Sequence, residues 1–365
     1  MKGLFGGIFN GKNVLVTGHT GFKGSWLCIW LKELGANVIG YALEPYTDDD
    51  NFVTSGLKSK VSSQIGDIRD YGYLKKVFDD CRPELVFHLA AQPLVRLSYK
   101  QPKLTYDTNV GGTVNLLECC RLSGSVRVVI NVTSDKCYEN KEWTWGYREN
   151  DTLGGHDPYS SSKGCSEIIT AAYRSSFCSG TGDGAQMIST ARAGNVIGGG
   201  DWREDRIIPD CIRALKKNEA IGIRSPESVR PWQHVLDPLS GYLQLASKMY
   251  LDGSRYVGAW NFGPEHNSIT TVRQLVEKLL KYWGSGEYRD LSQGHRQEVH
   301  ETGILLLNIS KAAHLLKWRP VLSLDEALKF TADWYKEPGA GYDFCVNQIN
   351  DYVDKMLKKQ GVGAQ

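Results

Sequence analysis

The run Val14-Leu15-Val16-Thr17 passes directly into Gly18-His19-Thr20-Gly21-Phe22-Lys23-Gly24, and Ser25 to Leu31 then reads as one buried helical stretch. A strand, a glycine turn and a helix in that order leave few folds open. Glycines at intervals of three allow a tight turn, close approach of backbone to a pyrophosphate, and close packing of the following helix, whose N-terminus favours anionic phosphate. A second apolar strand, Val38-Ile39-Gly40-Tyr41, follows at the distance a β-α-β unit needs. The reading is an α/β chain with a Rossmann-type, doubly wound parallel sheet and a smaller α/β lobe for substrate. Gly18, Thr20, Gly21, Phe22 and Gly24 are the cofactor candidates in the turn. No carboxylate ends the second strand to hold an adenosine ribose: Ala42 and Leu43 stand there, Glu44 comes slightly late, and no Arg is nearby for a 2′-phosphate. NAD is therefore expected rather than NADP.

Further strands follow the same grammar. Gln64 to Asp70 ends a short apolar piece in carboxylates, and Leu85 to Gln92 is a strand opening into small residues. Asp67, Ile68, Leu89, Ala90 and Ala91 are thus candidates for a cleft at the carboxyl ends of parallel strands. Taken singly, Asp67 reads equally well as a helix N-cap and Ala90-Ala91 as a packing site.

Chemistry enters with Ile130-Asn131-Val132-Thr133-Ser134-Asp135-Lys136, an apolar run that ends in a hydroxyl, a carboxylate and an amine side by side. Later, Tyr159 and Lys163 stand four apart, one helical turn, so both can face one ligand. A phenol with a pKa near ~10 is a poor base at neutral pH, and a neighbouring ammonium favours its phenolate. Tyr159 is then a candidate for taking a proton from a substrate hydroxyl while hydride leaves the same carbon. Alone, such a pair would read as an ordinary amphipathic helix.

Together, the Gly18 to Gly24 turn, Asp67-Ile68, Leu89-Ala90-Ala91, Ser134-Asp135-Lys136 and Tyr159 to Lys163 resemble the extended short-chain dehydrogenase/reductase family, in its nucleotide-sugar-modifying branch. The stretches 133–140, 154–164, 191–202 and 229–237 carry the likeness to the 4,6-dehydratases of that branch, which extends from about Asn10 to Tyr335. The resemblance implies a redox-neutral loss of water from a nucleotide-linked hexose. In that scheme Tyr159 takes the C4 hydroxyl proton while hydride passes to NAD, Ser134 holds the C4 oxygen, and Asp135 protonates the departing C6 hydroxyl. The C5 base would be Lys136, where better-known members carry glutamate. A lysine can act so only if its pKa falls by several units; otherwise it stays charged and ion-pairs Asp135. Thr108 is implied as a further cofactor contact, Asn195 and Arg230 as contacts to the sugar diphosphate, and Arg206 and Arg296 as further phosphate or base contacts. A guanidinium fork suits a diphosphate, although a lone Arg beside Pro231 could equally be a surface residue. Residues 109–121 and 159–177 carry apolar side chains on more than one face, and the resemblance pairs such helices between subunits, so a homodimer or homotetramer is expected. An epimerase would share Tyr159 and Lys163 without needing the Asp135-Lys136 acid and base, and a non-catalytic dinucleotide-binding protein would need neither pair.

Composition narrows the classes further. A net charge of +2 in 365 residues, with Lys and Arg dispersed among acids, excludes the basic surface of a nucleic-acid binder. The nine Cys are scattered with no C-x-x-C pair and read as reduced thiols, without a disulfide framework or metal site. No apolar run approaches the about 18 residues of a membrane span, and Met1 to Asn10 is too short and glycine-rich for a signal peptide, so a cytoplasmic location is expected. The expected organisation is a mainly cofactor-binding segment over 10–178, a mainly substrate-binding segment over 179–340 with strands returning to the sheet, and a helical tail over 341–365. Ser179 to Gly184 reads as a mobile loop and Gln348 to Lys359 as the tail helix.

Overall fold

The computed structural model describes residues 1–178, 185–265, 269–292 and 304–361. Val14, Leu15 and Val16 are wholly buried, and they make β1 (Asn13–Thr17) an interior strand of a parallel sheet. On one side lie β2 (Asn37–Ala42) and β3 (Ser62–Ile65); on the other lie β4 (Leu85–His88), β5 (Val128–Val132), β6 (Met187–Ala193) and β10 (Gly258–Phe262). The order β3-β2-β1-β4-β5-β6-β10 is parallel at every pairing. Strands covered on both faces need near-continuous apolar sequence, and β4 and β5 are buried at every position. Strand order reverses between β1 and β4, the point at which a crevice opens at the carboxyl ends. The doubly wound parallel sheet expected from the sequence is therefore present.

The first half alternates with α1 (Phe22–Glu33), α2 (Asn51–Thr54), α3 (Tyr71–Cys81), α4 (Val95–Lys100), α5 (Pro102–Tyr106), α6 (Gly112–Leu122) and α7 (Pro158–Phe177). Asp157 starts α7 by accepting the Ser160 N–H at 2.9 Å, with Pro158 at the first helical position. The N-cap of α3 is Asp70, not Asp67: Asp70 accepts the Tyr73 N–H at 3.0 Å. A π-helical turn, Asp107–Gly111, carries Thr108 and leads into α6, so the helical stretch expected over 109–121 opens on a π-turn. Such turns concentrate at functional sites.

In the second half come β7 (Asn195–Ile197), α8 (Ile207–Lys216), β8 (Ile221–Ile223), β9 (Val229–His234) and α9 (Leu236–Asp252), then β11 (Ile269–Thr271), α10 (Val272–Trp283), β12 (Tyr288–Asp290), α11 (Leu324–Lys336) and α12 (Tyr342–Lys359). β7, β9 and β11 form a small mixed sheet, and β8 pairs with β12. The two halves are stitched together beside the crevice, where Trp26 Nε1 on α1 donates to the Gly199 carbonyl at 2.9 Å. The tail helix begins at Tyr342, ahead of Gln348, and is docked rather than loose. Its Tyr352 is fully buried edge-on to Trp30 of α1, centroids 5.6 Å apart, and donates to Asp237 of α9 at 3.0 Å. Each fully buried aromatic of this kind contributes about 1.5–3 kcal/mol relative to exposure. No helix among the described residues is long and apolar enough to cross a membrane.

Candidate active site

The glycine turn is shaped by close backbone approach. Gly18 has φ +76°, and a Cβ built there would lie 2.8 Å from the Ala90 N; one at Gly24 would lie 2.0 Å from the Gly18 carbonyl oxygen. Thr17 Oγ1, at the end of β1, accepts the N–H groups of Leu89 and Ala90, both at 3.2 Å, and lies 2.7 Å from His88 Nδ1. With two N–H groups donated to it, Thr17 must donate to His88, which fixes that imidazole as neutral with its proton on Nε2. Burial agrees, pushing the His88 pKa down to about 3. Gly21, the N-cap of α1, receives no side-chain cap, which leaves the first N–H groups of the helix available to an anion. A dinucleotide pyrophosphate suits this turn, because the bare backbone at Gly18 and Gly24 lets it close tightly on Ala90 and on the start of α1, which places the uncapped helix N-terminus at its edge. Beyond β2, Thr20 Oγ1 donates to the Leu43 carbonyl at 2.9 Å, and Glu44 is the first carboxylate, exposed. Asp67 is clamped by Arg69 through both carboxylate oxygens, which holds it below the usual carboxylate range. Ile68 is buried beneath α6, where a Cβ on Gly112 would strike it.

At the mouth of β5 the chain turns sharply, so Ser134, Asp135, Tyr159 and Lys163 meet with no more than about 8% of each exposed. Ser134 Oγ donates to Asp135 Oδ1 at 2.9 Å and accepts the Lys136 N–H at 3.2 Å. Asp135 Oδ2 faces Gly194, where an added Cβ would lie 3.0 Å away. Burial raises the Asp135 pKa, with Lys136 and the Ser134 hydrogen bond opposing, so this carboxyl holds its proton more readily than a surface one. Burial also pushes the Tyr159 phenol up to about 12, against the pull of Ser134 and Arg206. Of the charges that act on Tyr159, Asp135 and Asp157 raise its pKa and Arg206 lowers it; Lys163, one helical turn on, is itself pushed down to about 8 by burial. Lys163 Nζ reaches the Val132 carbonyl at 3.5 Å. Lys136 is half-buried; no ion pair with Asp135 within 4 Å is present among the described residues, yet its charge is the foremost influence opposing burial at that carboxyl.

On the substrate side, Asn195 opens β7 opposite Trp232 of β9, beside the Gly194 that Asp135 abuts. Arg206 pairs with the buried Asp201 at 2.7 Å. Arg230 lies on β9, its Nη1 donating to the Val229 carbonyl at 2.8 Å. Arg296 and the loop 179–184 lie outside the described residues. Trp232 and His234 are core side chains, His234 being fully buried. Sequence reasoning passed over Lys23, which lies within electrostatic reach of Asp135, Lys163, Arg206 and Asp201; burial first, then Arg206, pushes its ammonium down to about 8. Its signal was present, since a lysine inside a phosphate-binding turn has little room to point elsewhere. Asn109 was also missed: it donates to Ser162 Oγ at 2.9 Å and to the Gln92 carbonyl at 3.1 Å, fixing α7 against the turn after β4.

The chain was compared with known proteins. It is 48% identical over 352 residues to a CDP-glucose 4,6-dehydratase of Salmonella typhimurium, covering 95% of this chain and 97% of that one. Among solved structures it resembles a UDP-glucose 4-epimerase with UDP-glucose from Thermotoga maritima (TM-score 0.73, 25% identity, 89% of this chain and 98% of that one). In fold it also resembles a dTDP-glucose 4,6-dehydratase from Bacillus anthracis in complex with NAD (TM-score 0.70, 22% identity, 89% and 96% covered). The family model for GDP-mannose 4,6 dehydratase matches residues 15–331, and on that match the chain belongs to the GDP-mannose 4,6 dehydratase family.

Proposed function

We propose that this protein is an NAD-dependent CDP-glucose 4,6-dehydratase, a hydro-lyase that converts CDP-D-glucose to CDP-4-dehydro-6-deoxy-D-glucose and water. The observation that carries this reading is the buried Ser134–Asp135 pair beside Tyr159, because an epimerase needs the phenol but has no use for a buried acid at that place. The 48% identity along nearly the whole chain to a CDP-glucose 4,6-dehydratase supports the same substrate. NAD would be held by Gly18, Thr20, Gly21, Phe22 and Gly24 with Asp67, Ile68, Leu89, Ala90, Ala91 and Thr108, and would supply a reversible hydride acceptor.

The protein's own residues do the rest. Tyr159 takes the C4 hydroxyl proton; burial makes that costly and Arg206 lowers the cost, and Lys163 on the same helix face is the further cation this reading assigns to the phenolate. Ser134 holds the C4 oxygen. Once C4 is a carbonyl, the C5 proton is acidic, and Lys136, next to Asp135 in the chain, is the base this reading assigns to it. Asp135 gives its proton to the departing C6 hydroxyl, and burial, by raising its pKa, favours the protonated form that the step uses. Asn195, Arg206 and Arg230 hold the sugar diphosphate, with Arg296 as a further contact. Leu122, Ile168 and Phe177, each at least half exposed on α6 and α7, form the face through which a homodimer, or a homotetramer built from it, would assemble. The enzyme would work in the cytoplasm, without nucleic-acid or membrane partners, and its product would lead toward the deoxyhexoses of surface polysaccharide.

Mass spectrometry of the protein with NAD and, separately, with CDP-, dTDP-, UDP- and GDP-linked hexoses tests the reading. Loss of one water from CDP-glucose, with no net reduced cofactor, is the expected result; an unchanged mass with an altered sugar would replace it by epimerisation.

A further inference from the structure

One short segment crosses the mouth of the cofactor crevice. In the sheet, β1 lies between β2 and β4, and the glycine turn leaves its carboxyl end. Residues 199–206, between β7 and α8, touch both flanks of that turn. On the β2 side, the Arg203 guanidinium carbon lies 4.0 Å from the ring centroid of Tyr46, in the loop after β2. On the β4 side, Asp205 Oδ1 lies 3.7 Å from Arg96 Nε, on α4. A segment that grips both neighbours of β1 has to pass over the turn between them. A dinucleotide held on the turn runs the same way, its pyrophosphate at the helix N-terminus and its two nucleosides to either side.

The segment is fastened unevenly. At 199–201 it is built into the core. The Gly199 carbonyl accepts from Trp26 at 2.9 Å, the Gly200 carbonyl accepts the Asn51 N–H at 3.4 Å, and the Asp201 carbonyl accepts from the Tyr335 hydroxyl at 2.5 Å. Trp202 packs edge-on against Tyr335, centroids 5.1 Å apart, and Ile208 of α8 is buried again. Between these roots, the grip on the cofactor half is open to solvent. Tyr46 is 46% exposed, and the side chains of Arg96 and Asp205 are 42% and 40% exposed. Contacts of that kind contribute little and break readily. Asp205 also stands at φ +59°, a left-handed backbone uncommon for a residue with a Cβ, while Arg224 holds its carboxylate at 3.2 Å.

We propose that residues 203–205 are a gate over the dinucleotide, fastened to the cofactor half by the Arg203–Tyr46 and Asp205–Arg96 contacts and opened when these break. Firm roots with a weak fastening between them let the chain lift without unfolding what lies on either side. The purpose of such a gate rests on the dehydratase reading. There the hydride removed from C4 has to be kept until water has left C6, and a reduced cofactor lost in that interval would leave the sugar as a ketone.

The test uses the full chain with NADH as the probe and no nucleotide sugar. Stopped-flow energy transfer from the protein's tryptophans to NADH gives the association rate on mixing and the dissociation rate on a chase with NAD. Arg203→Ala/Asp205→Asn breaks both contacts, removes one positive and one negative charge, and leaves at 205 a side chain that tolerates the left-handed backbone. Both rates should rise together by roughly 3–30-fold, the combined contribution of an exposed cation–π contact and an exposed ion pair, with affinity and Tm near wild type. Tyr46→Leu breaks the first contact from the opposite side and should give part of the same rise. Wild-type rates in both variants would overturn the gate. Faster dissociation with unchanged association would overturn it too, because that is the signature of a lost direct contact to the dinucleotide. A protein that releases no water from CDP-glucose would overturn the proposed function and leave these rates, and the gate, untouched.

Discussion

Ser134 Oγ donates to Asp135 Oδ1 at 2.9 Å, so the hydroxyl that faces the Tyr159 phenol is also the group that orients the carboxyl. The two side chains proposed to handle protons at C4 and C6 are bridged by one serine, and all three are more than nine-tenths buried. Low exposure strengthens each hydrogen bond and excludes the bulk water that would otherwise compete for the protons.

Tyr159→Phe removes the proton acceptor and little else. Turnover of CDP-glucose should fall by about 10²–10⁴-fold, with thermal stability and NAD binding near wild type. Steady-state rates and a melting curve check this; a variant that kept a tenth of its activity would move the base elsewhere.

Asp135→Asn and Lys136→Met divide the elimination between two groups. With C5 exchange read as deuterium uptake from heavy water, Lys136→Met should lose exchange and water release together. Asp135→Asn should lose water release by about 10²–10⁴-fold while retaining more exchange. Wild-type exchange in Lys136→Met would assign the C5 base to another group.

Gly18→Ala places a methyl 2.8 Å from the Ala90 N at a φ of +76°, where L residues are strained. The fold should lose about 1–3 kcal/mol, and the rise in Tm that NAD gives to the wild type should shrink or vanish. Differential scanning calorimetry with and without NAD measures both.

Asp237 is fully buried, accepts from the Val321 N–H at 2.6 Å and the Tyr352 hydroxyl at 3.0 Å, and has no partner on Oδ2 among the described residues. Burial raises its pKa from 3.8 to about 7. Between those values the unfolded chain has released the proton and the folded one keeps it, so the folded state binds more protons and stability falls as pH rises from about 4 to about 7. Asp237→Asn should remove that slope and leave the protein more stable above pH 7, by an amount on the order of a few kcal/mol. Denaturant unfolding at pH 5 and pH 8 gives the comparison; an unchanged slope would mean that Asp237 ionises normally.

Much of this architecture was legible in the chain because it is encoded locally. Val14 to Gly24 writes strand, turn and helix in consecutive residues, and Tyr159 with Lys163 writes one face of one helix, so spacing alone places them. The π-turn at Asp107–Gly111 was not legible, because it interrupts a helical pattern without changing its apolar content. Glu167 and Arg192 are 25 residues apart on different elements, so no local pattern announces their ion pair. Arg206 could be suspected only as a phosphate ligand; that it also stands beside Tyr159 follows from how α8 meets the sheet, which is a tertiary fact. The docking of α12 was hidden for a related reason, since Tyr352 finds Asp237 and Trp30 only once the two halves are assembled.

The most direct test of the central claim is to give the enzyme CDP-glucose carrying deuterium at C4 and to locate the label in the product. Internal transfer with loss of water predicts a product lighter by one water, deuterium at C6, and no net reduced NAD. Deuterium still at C4 in a sugar of unchanged mass would contradict the dehydratase account and leave the Tyr159–Lys163 pair serving an epimerase.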